Sequence, residues 1–245
     1  WPAVLPGRGF VLGMHAFGLE ECGDYERARA TGLAALAHDR RDPWAIHAVA
    51  HVHEMRGEIV AGIDWLGARQ DDWATDNGFA FHNWWHLALY WLELGEQQRV
   101  LDLYDQAIRP ADSGVVLELI DATAMLWRLH LRGVDVGARW QPLLARWRER
   151  VGDRLYVFND IHALLALLAT GQLDEARDLV ASLQIDAVGM DTRARMARMA
   201  GLPVARGLIA FASGDHGQAL PLLLHGHAVS SRFGGSHAQR DLLAL

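Results

Sequence analysis

The chain has 245 residues, 51% of them apolar and 22% charged, with a formal net charge of −7. That length and mix suit a large core or a stacked repeat array and exclude disorder; the acidic balance argues against a general nucleic-acid binder, which needs a basic footprint. All 23 basic residues are Arg and none is Lys, so this sequence offers no Schiff-base, pyridoxal-phosphate or Walker A lysine, and the single cysteine, Cys22, excludes an intrachain disulfide and a cysteine-rich metal site.

Taken in chain order, a glycine followed five residues later by a small or apolar residue recurs: Gly23 and Ala28, Gly57 and Gly62, Gly95 and Val100, Gly133 and Ala138, Gly171 and Ala176, Gly214 and Ala219. The glycine spacings are 34, 38, 38, 38 and 43. A glycine ends one helix in a conformation that Cβ disfavours. Asp24, Asp174 or Asp215 then suits the start of the next, and the small residue permits close approach. Each glycine therefore predicts a helix–turn–helix unit, and Asp42-Pro43 marks a junction with Pro43 in a first helical turn. The period is that of a tetratricopeptide array. The expected fold is all-α: a tetratricopeptide-like right-handed α-solenoid, one domain over 1–245. Its helix pairs fall near 9–38, 43–69, 79–109, 114–149, 156–185 and 191–231, and a seventh first helix opens at Ser236. Arg69–Gly78 reads as a loop.

Within these helices, His47, His51 and Glu54 are spaced i, i+4, i+7 and share one face. His82 and His86 do the same on the next first helix, with Trp85 and Glu93 beside them. Likeness to the tetratricopeptide turn at Gly23–Ala28 implies that these positions, with Glu20 and Glu21, line a concave face. Packed helices lie about 8–10 Å apart, so four imidazoles can converge. Further along come Asp121 and Arg128, Asp160 and His162, the cluster Arg193, Arg195 and Arg198, and finally His237, Arg240 and Asp241. Trp44, Trp84, Trp85, Trp91 and Trp127 are interleaved. Such a surface of imidazole, carboxylate, guanidinium and indole suits a small-molecule pocket.

Five blocks carry a more specific likeness: His47-Ala-Val-Ala-His-Val-His-Glu54, His82-Asn-Trp-Trp-His-Leu-Ala-Leu89, Asp121-Ala-Thr-Ala-Met-Leu-Trp-Arg-Leu129, Phe158-Asn-Asp-Ile-His-Ala-Leu-Leu-Ala-Leu167 and Gly234-Gly-Ser-His-Ala-Gln-Arg-Asp241. In this order, from about Val11 onward, they resemble the signature blocks of the tetratricopeptide repeat protein 38 family. Its members are longer at both ends, which implies that this sequence is part of a longer chain. His53 departs from the pattern, where an apolar residue is expected. The resemblance implies the fold and the candidate site, not a reaction.

Two kinds of chemistry suit these residues. The two His-x-x-x-His pairs offer neutral nitrogen ligands for zinc, manganese or iron, with His47, His51, His82 and His86 as the metal candidates. This requires ring nitrogens of the two pairs within about 5 Å of each other. The alternative is acid–base work by His47, His51, Glu54, His82, His86, Asp160 and His162, with His237 and Asp241 at i, i+4 orienting each other. Ligand contacts are expected from Trp85, Asp121, Arg128, His237, Arg240 and Asp241. The expected function is a binding protein whose groove holds a small polar molecule or peptide, or an enzyme of hydrolase type in that groove. Cys22 reads as a structural thiol. No secretory signal is expected, since no basic start followed by an apolar block is read in this sequence, and apolar runs such as Ile161–Leu168, broken by His162, fall short of the about 20 residues that cross a bilayer. No membrane or nucleic-acid partner is expected, and the default location is cytoplasmic.

Overall fold

A computed structural model describes residues 6–243. Among them every regular element is helical and no strand forms. The residues divide into two compact units, one running up to Pro110 and the other starting at Ala111. No helix of the described residues is long and apolar enough to cross a membrane.

The first unit begins with α1 (Arg8–Glu21) and α2 (Tyr25–Leu36), followed by α3 (Pro43–Met55) and α4 (Ile59–Gly67). A single turn, α5 (Gln70–Trp73), precedes α6 (Ala80–Glu93) and α7 (Gln97–Leu103). Helix α3 packs against α1, α2, α4 and α6. Its start is fixed by Asp42, whose carboxylate accepts the backbone N–H groups of Trp44 and Ala45, while Pro43 fits the first turn because its missing N–H would have no intrahelical partner.

The turn glycines at 23, 57, 95, 133, 171 and 214 all have positive φ. At Gly57 the chain closes as a Schellman turn: Gly57 N–H donates to Glu54 O and Glu58 N–H to His53 O. Five residues on, Gly62 sits where a Cβ would press within 2.4–2.8 Å of the Tyr90 ring atoms. That contact lets α4 lie close on α6. Tyr90, fully buried, then donates its hydroxyl to the Ala50 carbonyl at 2.6 Å. Trp65 donates to the Ile46 carbonyl at 3.0 Å, so α3 is tied to both neighbours.

The stretch read as a loop, Arg69–Gly78, contains α5. Trp73 is its reason: the ring is fully buried, donates to Leu66 O at 3.0 Å and meets Trp84 edge-on. Burying one large aromatic ring outweighs the loop-like polarity of its neighbours.

The second unit contains α8 (Val116–Leu131), α9 (Trp140–Arg148), α10 (Val157–Ala169), α11 (Leu173–Asp186), α12 (Thr192–Met196), α13 (Leu202–Ala212), α14 (His216–Ala228) and the single turn α15 (His237–Arg240). Helix α10 packs against α8, α9, α11 and α13, and α13 packs on α14. The small-residue pattern fails at Ala138, which is exposed on a 3-10 turn, Gly137–Arg139, before α9 starts. A π-helical turn, Ala197–Gly201, joins α12 to α13. Pro203 follows it, and a proline lacks the N–H that a regular helix would need there. Ser236 caps α15 in a capping box with Gln239.

Two glycines separate packing from backbone conformation. Gly62→Ala should cost about 3 kcal/mol, the upper end of overpacking penalties, by forcing Tyr90 off Ala50. Gly95 has φ +77° and open space around it, so Gly95→Ala should cost about 1 kcal/mol. Urea unfolding of the two variants checks this; equal losses would contradict the close approach at Tyr90.

Candidate functional site

The α3 and α6 stripes meet inside the first unit. His47, His51, His82 and His86 are all buried, and one ligand nitrogen from each ring lies within 4.8 Å of those of the other three. Ring centroids are 4.5 Å apart for His47 and His51, 4.8 Å for His47 and His82, and 4.4 Å for His51 and His86. The convergence expected from the i, i+4 spacing is met, inside the 5 Å limit set for a shared ion. Bond lengths of about 2.0–2.1 Å would place tetrahedral nitrogens about 3.4 Å apart, a contraction within reach of side-chain movement.

Two glutamates stand behind the rings. His86 Nδ1 and Glu54 Oε2 are 2.7 Å apart, so the N–H donates to the carboxylate and Nε2 is the ring's ligand nitrogen. Glu20, on α1, is fully buried with Oε2 3.6 Å from His51 Nδ1. Carboxylates of this kind fix the tautomer and raise the basicity of a ligating imidazole. Both ring nitrogens of His47 and both of His51 are buried and make no hydrogen bond. Burial, with His51 and His82 close by, holds the His47 imidazole well below its usual range, so the ring is neutral, as metal ligation requires.

Aromatic rings surround the cluster. Trp85 stacks on His82, centroids 5.4 Å apart and planes 9° apart. Phe17, Trp44 and Phe79 each contact His47, with centroids 5.1–5.5 Å away. His53 points elsewhere: its Nδ1 is 2.8 Å from Glu58 Oε2 and its ring leans on Trp65. Its exclusion from the site follows from its place on α3, two residues from His51 and so turned to another face.

In the second unit the polar candidates form structural pairs. The Arg128 guanidinium donates to Ala124 O at 3.1 Å, to Ala238 O at 2.6 Å and to the Asp241 carboxylate, tying α15 to α8. Asp121, fully buried, accepts from Gln239 at 3.4 Å, and Arg240 donates to Gly235 O. Asp241, expected to orient His237, meets the buried Arg128 guanidinium. Asp160 pairs with Arg193 at 2.9 Å, and Arg193 also grips Asp186. Arg198 donates to the carbonyls of Ala187 and Gly189. Arg193 thus ties α12 to α10 and α11, Arg198 holds the end of α11, and Arg195 is exposed. Cys22 is exposed at the end of α1.

His162 is buried on α10, where Nδ1 donates to Phe158 O at 2.8 Å and Nε2 makes no hydrogen bond. Burial pulls its imidazole down to about 4, against that hydrogen bond and with help from Arg128.

No family model matches the chain. Among solved structures it is similar to a tetratricopeptide repeat protein from Parabacteroides merdae, at 14% identity and a TM-score of 0.48, over 97% of this chain and 85% of that one. The fold is all-α, with helices packed in pairs.

Sequence reasoning found the four histidines, Glu54 and Glu20, but not the rings of Phe17 and Phe79. Phe79 and Phe81 closely precede His82 in sequence, which was the available signal.

The buried His162 makes a pH prediction. Its folded pKa, about 4, lies below the unfolded value of about 6.5, so between these the unfolded chain binds more protons and stability falls as pH falls. The loss across that window is about 3 kcal/mol. His162→Gln should flatten this part of the stability–pH curve measured by urea unfolding; an unchanged slope would assign it to other groups.

Proposed function

We propose that this chain is a helical-repeat binding protein whose first unit carries a divalent metal centre on His47, His51, His82 and His86. The convergence of four buried imidazoles within 4.8 Å carries the reading. The competing account is a polar network that fixes helix packing, and such a network needs its members satisfied when buried. His47 and His51 have four buried nitrogens without hydrogen bonds. Each orphan costs about 1–3 kcal/mol, and ligation would remove that penalty for one nitrogen of each ring. The all-imidazole set suits zinc or iron better than manganese, which prefers oxygen ligands. Glu54 orients His86, and Glu20 supplies a carboxylate 3.6 Å from His51. An ion so held would act as a Lewis acid toward a small polar ligand by taking it as a fifth ligand. The sequence blocks that resemble the tetratricopeptide repeat protein 38 family include both histidine pairs, so this reading extends to that family's signature.

Elemental analysis of purified, tag-free protein tests it. Close to one equivalent of zinc or iron is expected, and His47→Ala/His86→Ala should lose it while keeping its helical circular dichroism. Absence of metal even after incubation with each ion would overturn the centre. Glu54→Gln should weaken metal affinity about 10–100-fold, read by chelator competition.

A sign reversal gives a second check. Without metal, His47→Phe should leave thermal stability unchanged or raise it, since it removes two orphaned nitrogens. With metal at about 100 times its dissociation constant, the parent chain should gain about 2.7 kcal/mol and the variant much less. Destabilisation of the metal-free variant by more than about 2 kcal/mol would favour a packing role.

A further inference from the structure

The four-histidine cluster has two unlike sides. On one, Glu54 and Glu20 stand behind His86 and His51. On the other, the rings of Phe17, Trp44, Phe79 and Phe81 gather around His47 and His82. Phe17 and Trp44 are 5.4 Å apart, Trp44 and Phe79 5.1 Å, and Phe79 and Phe81 6.3 Å. Phe79 also contacts His82 at 4.9 Å. All four rings are only half-buried, while the imidazoles beneath them are buried. These rings come from three places in the first unit: α1, the opening of α3 and the opening of α6.

The collar is not wholly apolar. The Trp44 indole N–H is buried and makes no hydrogen bond, although part of that ring remains exposed. A buried donor without an acceptor is costly, and it lies on a residue whose ring is 5.2 Å from His47. Ring separations of 5–6 Å are those at which aromatic groups pack by offset or edge-on contact. A flat aromatic guest can join such a set. The metal reading adds a second requirement. Imidazoles bind a metal as neutral ligands and leave a divalent ion its full charge, so the ligand that this set favours, when the coordination expands to five, is an anionic oxygen donor.

We infer that the collar of Phe17, Trp44, Phe79 and Phe81 is a subsite for a small aromatic compound bearing an anionic oxygen donor. The ring of the compound packs on the exposed faces of the collar rings, its oxygen reaches the ion held by the histidines, and a shift of the Trp44 side chain brings its buried N–H to an acceptor atom. This rests on the metal centre proposed above.

The test uses the whole chain loaded with cobalt(II), whose visible absorption reports both occupancy of the histidines and added ligands. Benzohydroxamate and acetohydroxamate serve as probes, being the same oxygen chelator with and without an aromatic ring. Benzohydroxamate should bind about tenfold more tightly than acetohydroxamate. Trp44→Leu and Phe79→Leu should each retain cobalt and bring the two probes within about threefold. Equal affinities in the parent chain, or an undiminished preference in both variants, would overturn the collar and leave the metal centre standing. A parent chain that develops no cobalt spectrum would overturn the metal centre, and the collar with it.

Discussion

The register of α6 against α3 is the constraint from which the first unit's chemistry follows. It is set by a small group of contacts at one level of the helices. Gly62 leaves room for the Tyr90 ring, and the Tyr90 hydroxyl reaches the Ala50 carbonyl. Ala50 lies next to His51 on α3, and Tyr90 lies one turn beyond His86 on α6. Holding Ala50 and Tyr90 together therefore holds the two histidine pairs side by side. Trp65, bonded to Ile46 O, steadies the same helix one residue before His47. None of these three groups touches a candidate ligand through its polar atom, yet they determine whether the rings meet.

What they bring together is expensive. Imidazoles accept burial when both nitrogens have partners, and in this cluster the supply is uneven. His86 has Glu54 at full hydrogen-bond distance, and His51 has Glu20 further off. His47 has neither, and burial beside two other imidazoles keeps it neutral. A neutral ring with orphaned nitrogens is poor material for a packing network and good material for a ligand. The second unit shows the contrast. There, Arg128, Asp121, Asp160 and Arg193 are engaged by carboxylates, carbonyls or an amide, and these polar residues read as braces between helices.

Much of this was legible in the sequence because it depends on local rules. Turn glycines at a near-constant spacing mark helix ends, and each of the six adopts the positive φ that makes glycine the suitable residue. The i, i+4 histidines needed only the helical period to share a face. What was not legible depended on contacts distant in sequence. Trp73 turned a polar stretch into helix because Leu66 and Trp84 receive its ring. Asp241 met Arg128 across more than a hundred residues, a pairing that no local spacing rule points to. Phe17 joined the cluster from α1, and no spacing rule links it to His47. At Ala138 the glycine pattern persisted while the helix did not, since a 3-10 turn displaced the helix start to Trp140.

The two histidine pairs lie on separate helices, with about 30 residues between His51 and His82. Each pair is complete as soon as its own helix has made one turn, so each is a two-toothed chelator before any tertiary structure exists. Joining the pairs through one shared atom would close the intervening chain into a loop. Its effect on the unfolded ensemble would be that of a cross-link, which removes chain entropy in proportion to the logarithm of the loop length. The α3–α6 contact would then be tied as a disulfide ties two strands, in a chain whose single cysteine cannot form that bond with itself.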